Sequence, residues 1–264
     1  MKPEYKNWMP KGMVAGFALA AIGCGLVTAV LALAMPAGAL KTVLVVVFAA
    51  LTAVFLGVTV WSVLMYRAFS YDGKRQLSRQ IIEGIARQVR VPHGGLCLDV
   101  GCGSGALTIA CAKRNPKTSF IGIDRWGKEY ASFSKSLCEN NAKAEGVKNV
   151  TFEQGDAVRL DFPDGYFDAV TSNYVYHNIP ARSRGDRQAY LLETLRTLKK
   201  GGTFALHDIF SKAKYGDMQA FTQKLRDMGY EKVALIDTTD GKFMKKSEAG
   251  WMGLSGSALL VGRK

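Results

Sequence analysis

Two long apolar runs fill the N-terminal quarter of the chain. They cover residues 14–35 and 43–65, and Lys41 is the only charged residue between positions 13 and 66. Each run exceeds the roughly 20 apolar residues that an α-helix needs to cross a hydrocarbon layer about 30 Å thick. The pattern therefore predicts two transmembrane helices. The break at residues 36–38 predicts that the second helix runs back antiparallel to the first.

The charges on either side of this predicted hairpin indicate its orientation. Basic residues precede the first run and follow the second, namely Lys2, Lys6, Lys11, Arg67, Lys74, Arg75 and Arg79. The positive-inside rule then places both termini and the rest of the chain in the cytosol. We expect a hairpin at residues 1–66 and one domain at residues 67–264. Residues 37–39 resemble a signal-peptide cleavage site, but the first run is longer than the ~7 to 15 residues of a signal-peptide core.

After position 67, short apolar runs alternate with amphipathic stretches, which is typical of a parallel sheet with helices on both faces. Strands are predicted at residues 96–100, 119–123, 150–153, 168–172, 203–207, 232–237 and 257–261. Two apolar stripes have helical spacing, one of Ile81, Ile82, Ile85 and Val89 and one of Leu191, Leu192, Leu195 and Leu198. Gly146 and Gly201 are expected to end helices, and Pro116 is expected to stop the helix that follows Gly105.

Charge and cysteine content narrow the possible partners. The net charge is +13, and the basic residues are densest just after the second apolar run, where anionic lipid headgroups would attract them. We therefore expect a lipid bilayer, and not nucleic acid, as the partner. The five cysteines are odd in number and show neither a CxxC pair nor a nearby histidine cluster. This pattern predicts neither a disulfide framework nor a metal site, and reduced thiols fit a cytosolic domain.

The segment most informative about chemistry is residues 96–105, Leu-Cys-Leu-Asp-Val-Gly-Cys-Gly-Ser-Gly. It is an apolar strand that leads into a glycine-rich turn and then into a predicted helix. Glycines let the backbone approach a ligand closely, and the start of a helix offers free amides. Taken alone, and together with Ala106, the segment also fits the GxGxxA fingerprint of dinucleotide-binding proteins. The segments that follow it show whether this fingerprint or another type of nucleotide-binding turn fits the sequence better.

The sequence from Asp99 to Gly105 resembles the first motif of class I S-adenosylmethionine-dependent methyltransferases, and later segments agree with that family in order and spacing. Asp124 ends the second strand, where the acid of the family binds the ribose hydroxyls. Asp156 follows the third strand, where the family uses an acid to accept a hydrogen bond from the adenine amino group. Residues 162–170 and 198–203 resemble the family's approaches to strands four and five.

The resemblance implies a Rossmann-like methyltransferase fold, with seven mostly parallel strands and a final antiparallel strand, and S-adenosylmethionine as the cofactor. The cofactor is expected beyond the carboxyl ends of the strands, against Asp99, Gly101, Gly103, Asp124, Arg125, Trp126, Asp156, Ala157 and Asn173. Other roles stay open for three of these. Asp99 could support the turn, and Asp124 could cap a helix that begins near Lys128. Trp126 could stack on adenine or be buried at a helix start.

The loop after the fourth strand, residues 172–178, supplies an imidazole and two phenols where the family places residues near the methyl group. His177 is the predicted base or orienting group and Tyr174 is the next candidate, although His177 could simply hydrogen-bond within the loop. His207 and Asp208, at the end of strand five, are expected on the acceptor side unless Asp208 only caps the next helix. The Asn-Pro-Pro-Tyr type of sequence, typical of enzymes that methylate nucleic acid bases and glutamine, does not occur in this loop.

These features predict a membrane-anchored methyltransferase that acts on a small, apolar or lipid-like acceptor. Two alternatives remain open, namely an enzyme acting on a soluble acceptor and a non-catalytic S-adenosylmethionine-binding module that regulates a membrane partner. Residues 241–256 are both apolar and basic, so they are expected to form an acceptor lid, an interfacial contact or ordinary packing against the sheet. The sequence does not indicate an oligomeric state.

Overall fold

The structure, a computed structural model, describes residues 2–127 and 132–264 of the chain. This part of the chain divides into two compact units, one of residues 7–78 and one of residues 2–6 together with 79–264. The domain boundary expected at Arg67 stays a prediction. Lys128, where a helix was expected to begin, lies outside the described residues.

The unit of residues 7–78 contains two long helices, α1 (Lys11–Ala34) and α2 (Ala39–Phe69). The amide of Asn7 donates to the carbonyl oxygen of Tyr66 at 2.7 Å, and the ring of Trp8 lies 5.4 Å from that of Phe69. These contacts bring the start of α1 to the end of α2, so the helices are antiparallel. By length and composition both could cross a membrane, and most of their large apolar side chains are exposed in the described chain. Within the described chain, these helices therefore bury little of their apolar surface.

The other unit contains a seven-stranded sheet. Its strands are β1 (Leu96–Val100), β2 (Ser119–Asp124), β3 (Val150–Gln154), β4 (Phe167–Asn173), β5 (Leu198–Ile209), β6 (Glu231–Asp237) and β7 (Ser257–Arg263). Their order is β3-β2-β1-β4-β5-β7-β6, and β7 is antiparallel to both of its neighbours while the other pairs are parallel. All seven predicted strands and the predicted final antiparallel strand are confirmed.

Helices connect the strands and cover the sheet. They are α3 (Leu77–Ala86), α4 (Ala106–Arg114), α5 (Lys135–Ala144), α6 (Arg184–Arg196), α7 (Lys212–Tyr215), α8 (Met218–Asp227) and α9 (Lys246–Trp251), with a 3-10 turn at Tyr176–Asn178. The main core combines fully buried side chains of the central strands and of α6, among them Leu98, Val170, Leu206, Leu260, Leu191 and Leu195. Gly146 follows the end of α5 in the left-handed conformation, as expected of a helix-ending glycine.

Two expectations at the junction of α6 and β5 are wrong. Leu198 was assigned to the helical stripe and Gly201 to a helix end, but α6 ends at Arg196 and both residues belong to β5. Leu198 pairs with Phe167 of β4, and the register then shifts across a bulge that contains Gly201, whose φ is +82°. Leu198 lies three positions after Leu195, the last buried leucine of α6. This interval is helical spacing even though Leu198 begins a strand. The apolar pattern therefore did not reveal the change of element.

Gly84 in α3 supplies a test of how tightly the helices pack. A Cβ atom at this position would lie 2.2 Å from the ring of Phe243, which is itself buried. Gly84→Ala would gain roughly 1 kcal/mol of helix propensity, but overpacking typically costs about 1–3 kcal/mol. We expect a net loss of about 1 kcal/mol in the free energy of unfolding, measured by urea denaturation of the full chain in detergent.

The matched control is Gly250→Ala in α9, where an added Cβ atom meets nothing within 4 Å. This variant should be as stable as the parent or slightly more stable. Equal stability of Gly84→Ala and Gly250→Ala would contradict the packing described for Phe243.

Candidate active site

The candidate site lies at the carboxyl ends of β1 and β4, the two central strands between which the strand order reverses. Open parallel sheets bind ligands in the crevice that this reversal creates. The loops after the two strands touch here, because a Cβ atom added to Gly101 would lie 2.3 Å from Cγ2 of Val175. The glycine-rich turn after β1 and the predicted acceptor loop after β4 therefore form one site.

The turn at residues 101–105 depends on its glycines. Gly101, Gly103 and Gly105 have φ values of +69°, +57° and +79°, a region that residues with a Cβ atom rarely adopt. The amides of Gly101 and Cys102 donate to the carbonyl oxygen of Ile123 at 2.8 and 2.9 Å, which fastens the turn to β2. The arrangement leaves a tightly turned backbone at the start of α4, as the sequence predicted.

Asp124 and Trp126 brace this turn from the end of β2. The carboxylate of Asp124 accepts hydrogen bonds from the amide of Gly103 at 2.9 Å and from the amide of Trp126 at 2.8 Å. The indole N–H of Trp126 donates to the carbonyl oxygen of Gly103 at 3.0 Å. Arg125, between them, is exposed. Contacts of these three side chains with ribose or adenine stay predictions.

Asp99 lies beneath the turn with only 1% of its surface exposed. Its carboxyl group accepts hydrogen bonds from the hydroxyls of Thr108 at 2.6 Å and Thr171 at 2.9 Å, which join β1 to α4 and to β4. Burial raises the pKa of Asp99 to about 7, although these two hydrogen bonds oppose the shift. The geometry supports a role in holding the turn, and a direct contact with a cofactor stays a prediction.

Two further predicted cofactor residues follow β3. Asp156 is exposed, and its carboxylate accepts a hydrogen bond from the amide of Val158 at 2.9 Å, while Ala157 is buried. Because β2 pairs with β3 so that Asp124 lies opposite Gln154, Asp124 and Asp156 stand at neighbouring strand ends. Two carboxylates beside a glycine turn fit a nucleoside ligand, whose hydroxyl and amino groups are hydrogen-bond donors.

The acceptor side of the site is organised by a buried carboxylate that joins β5 to the loop after β4. Asp208 is fully buried and accepts hydrogen bonds from the amides of Tyr176, His177 and Ile209 at 2.9, 3.2 and 2.7 Å. It also lies 2.5 Å from Nδ1 of His177, whose side chain is 12% exposed. Asp208 is not the cap of the next helix, because Ser211 precedes α7.

This pair determines which nitrogen of His177 is available. Burial by itself raises the pKa of Asp208, but the hydrogen bonds from His177 and the amide of Ile209 outweigh that effect and hold the pKa below its ordinary value. Asp208 is therefore a carboxylate, and Nδ1 of His177 carries the hydrogen that it accepts. Within the described residues Nε2 of His177 has no hydrogen-bond partner. Nε2 is thus the ring nitrogen of His177 that is left available.

The neighbouring polar side chains are enclosed. The hydroxyl of Tyr174 lies 2.8 Å from that of Ser257, and burial raises the pKa of Tyr174, so the phenol keeps its proton. Burial lowers the pKa of His207 to about 3, so its ring is neutral, and it hydrogen-bonds Asn173 at 2.8 Å and Thr238 at 3.1 Å. Because the hydroxyl of Ser257 donates to the carbonyl oxygen of Leu254 at 2.7 Å, Tyr174 donates its hydrogen to Ser257 and is not a base. Asn173 as a cofactor ligand stays a prediction.

Most of the apolar segment 241–256 packs inside the unit. Phe243, Met244, Met252 and Leu254 are buried, whereas Trp251 is 43% exposed. The ring of Phe243 lies 5.5 Å from that of His207, so this segment closes the back of the site. The sequence left open an acceptor lid, an interfacial contact or ordinary packing for this segment. For its four buried residues, the structure supports ordinary packing.

The fold and the site together define a class I S-adenosylmethionine-dependent methyltransferase. A family described as a methyltransferase domain matches residues 93–249, and the chain belongs to this family. The match confirms the resemblance seen in the sequence, and it confirms S-adenosylmethionine as the cofactor.

Two similar proteins are named for different acceptors. A demethylmenaquinone methyltransferase of Geobacillus stearothermophilus is 30% identical over 174 residues, which cover 64% of this chain and 65% of the relative. A 27-O-demethylrifamycin SV methyltransferase of Amycolatopsis mediterranei is 28% identical over 162 residues, which cover 61% of this chain and 56% of the relative. The chain thus spans less than two thirds of the length of either relative.

A solved structure shares the fold. The crystal structure of the cyclase SpnF superimposes with a TM-score of 0.53 at 20% identity, over 72% of this chain and 82% of that chain. At this identity the likeness shows the fold alone. Because that protein is named for a cyclisation, the family match and not the fold points to methyl transfer.

The bracing role of Asp124 leads to a prediction for cofactor affinity. Asp124→Ala removes the acceptor for the Gly103 amide together with the carboxylate predicted to bind the ribose. Since a hydrogen bond to a charged group is worth roughly 1.5–3 kcal/mol, the affinity for S-adenosylmethionine should fall by more than about tenfold in calorimetry.

The control is Asp164→Ala, which removes a carboxylate that is 81% exposed and paired with Arg196. Its affinity should equal that of the unaltered chain. Unchanged affinity in Asp124→Ala would contradict the assignment, and binding of a nicotinamide dinucleotide in place of S-adenosylmethionine would replace it.

Proposed function

We propose that this protein is a membrane-anchored enzyme that transfers a methyl group from S-adenosylmethionine to a small, lipid-like acceptor. The observation that carries the proposal is the placement of His177. Its Nδ1 is held by the buried carboxylate of Asp208, its Nε2 has no hydrogen-bond partner among the described residues, and Val175, two residues before it, packs on the glycine turn. A base held close to a glycine turn that binds a nucleoside fits an enzyme that transfers a group. A module that only binds the cofactor would not need such a base.

The residues of the site suggest a division of roles. When bound, S-adenosylmethionine would supply an electrophilic methyl group, and the acceptor atom would bond to that carbon in line as the sulfur leaves in S-adenosylhomocysteine. As the acceptor atom bonds to the methyl group, Nε2 of His177 takes the proton that this atom releases. Asp208 then stabilises the imidazolium and keeps the ring in one orientation. Tyr174 retains its proton and donates a hydrogen bond to the hydroxyl of Ser257, so we assign it a supporting role beside His177. The proton finally passes from His177 to water.

The class of acceptor is inferred from the relatives and from α1 and α2. Relatives named demethylmenaquinone methyltransferase support a lipid-like quinone as the acceptor, although the chain covers only 65% of the first of them. The apolar surfaces of α1 and α2 are exposed in the protein, and a bilayer would cover them. With basic residues flanking both ends, we propose a cytosolic domain beginning near Arg67, beside a membrane in which a lipid-like acceptor dissolves.

His177→Ala tests the proposed base. Turnover should fall by about 10² to 10⁴, the usual contribution of a general base, while the affinity for S-adenosylhomocysteine stays unchanged. Release of S-adenosylhomocysteine measures the first quantity and calorimetry the second, both on the full chain.

His93→Ala is the matched control, because His93 is an exposed histidine on the segment before β1. It should leave both quantities unaltered. If His177→Ala turned over at the parent rate at every pH tested, the histidine would have a structural role only.

The proposed anchoring can be tested with the full chain in liposomes. A demethylmenaquinone with a long isoprenoid tail is placed either in the same vesicles as the protein or in separate vesicles. Because a tethered site acts at a high effective concentration of acceptor, turnover should be at least about tenfold higher in the first arrangement.

A water-soluble quinone ring without the tail is the control, and its turnover should be the same in both arrangements. Equal turnover of the tailed quinone in both would contradict the role of the anchor. Cofactor binding without release of S-adenosylhomocysteine from either acceptor would favour a non-catalytic module.

A further inference from the structure

The N-terminal strap, residues 2–6, packs against α5. The amide of Glu4 donates to Oδ1 of Asn141 at 2.7 Å, and Nδ2 of Asn141 donates to the carbonyl oxygen of Glu4 at 3.1 Å. The hydroxyl of Tyr5 donates to Glu145, one residue beyond the end of α5, at 3.3 Å. The ring of Tyr5 packs on a buried apolar cluster of Cys102, Ile109, Cys138, Ala142 and Phe152.

The same asparagine also binds the glycine turn. Nδ2 of Asn141 donates a second hydrogen bond, at 3.0 Å, to the carbonyl oxygen of Ser104, and Asn141 is only 2% exposed. Cys138, one helical turn earlier in α5, donates through its thiol to the carbonyl oxygen of Gly103 at 3.2 Å. Asn141 thus uses its carbonyl oxygen and both amide hydrogens, and it joins the strap to the turn through one side chain.

These contacts matter because the turn has little to hold it from within. A segment with three glycines gives up more conformational freedom on ordering than other segments, and a binding loop that is ordered beforehand binds its ligand more tightly. Without the strap, Oδ1 of Asn141 and one amide hydrogen lose their partners at a position that is almost fully buried. The side chain would then turn towards water and release Ser104.

We propose that the strap and Asn141 are positioning elements of the cofactor site. They hold the glycine turn in its binding conformation, and they make cofactor affinity depend on the segment that leads directly into α1 at Lys11. The inference rests on the proposed function only in taking S-adenosylmethionine as the ligand. The strap would thus support the cofactor site although it lies far outside the matched segment 93–249.

The test is a pair of substitutions at one position of the strap in the full chain. Glu4→Pro removes the amide that donates to Asn141, whereas Glu4→Ala keeps it and removes only the side chain, which pairs with Lys6. We expect the affinity for S-adenosylhomocysteine, measured by calorimetry, to fall about three- to tenfold in Glu4→Pro and to stay unchanged in Glu4→Ala. Hydrogen exchange at residues 101–105 should become faster only in Glu4→Pro.

A double-mutant cycle shows whether the effect passes through Asn141. Asn141→Ala should weaken binding at least as much as Glu4→Pro, and the double variant should bind no more weakly than Asn141→Ala alone. Asn149→Ala is the control for general destabilisation. Asn149 donates to three backbone carbonyl oxygens, of Ala112, Asn115 and Thr118, between the end of α4 and the start of β2. Its loss should leave cofactor affinity unaltered.

The outcomes separate this proposal from the proposed function. Equal affinities of Glu4→Pro and Glu4→Ala, or additive effects in the double variant, would overturn the positioning role while cofactor binding by the unaltered chain stands. Failure of the unaltered chain to bind S-adenosylhomocysteine would overturn the cofactor assignment, and the positioning role with it.

Discussion

The turn after β1 places the strictest demand on this structure, because three of its five residues are glycines held in the left-handed region. Such a backbone has great freedom when unfolded and few side chains of its own to fix it. The carbonyl oxygen of Ile123, the carboxylate of Asp124, and α5 through Asn141 together hold residues 101–105. These groups belong to separate elements, so the shape of the glycine turn depends on contacts with both the sheet and α5.

Asp208 has a comparable role on the acceptor side. A buried carboxylate is costly unless hydrogen bonds replace its lost hydration, and here the amides of Tyr176, His177 and Ile209 and the imidazole of His177 supply them. The interaction that stabilises the buried charge also sets the course of the loop after β4 and the orientation of the imidazole. Substitution of Asp208 would therefore disturb both the loop and the proposed base, whereas substitution of His177 leaves the loop amides bonded to Asp208.

The sequence was sufficient wherever the signal is local. Apolar runs predicted all seven strands, and the glycine turn with its acids predicted the family and the cofactor. Leu198 was misplaced because β5 starts two positions after the end of α6, and its first residue continues the helical spacing. The pairing of His177 with Asp208 and that of Glu4 with Asn141 join residues 31 and 137 positions apart. No periodicity connects such residues, so their contacts emerge only from the strand order and the packing of α5.

The contacts of the strap are compatible with the proposed anchoring because charge keeps this segment in water. Lys2, Glu4 and Lys6 occupy alternate positions, and transfer of such residues into hydrocarbon is strongly unfavourable. The apolar run begins only at residue 14, so insertion of α1 into a bilayer would leave the strap outside the hydrocarbon layer, where Asn141 can bind it. An anchor of this kind is thus compatible with the proposed support of the glycine turn by the strap.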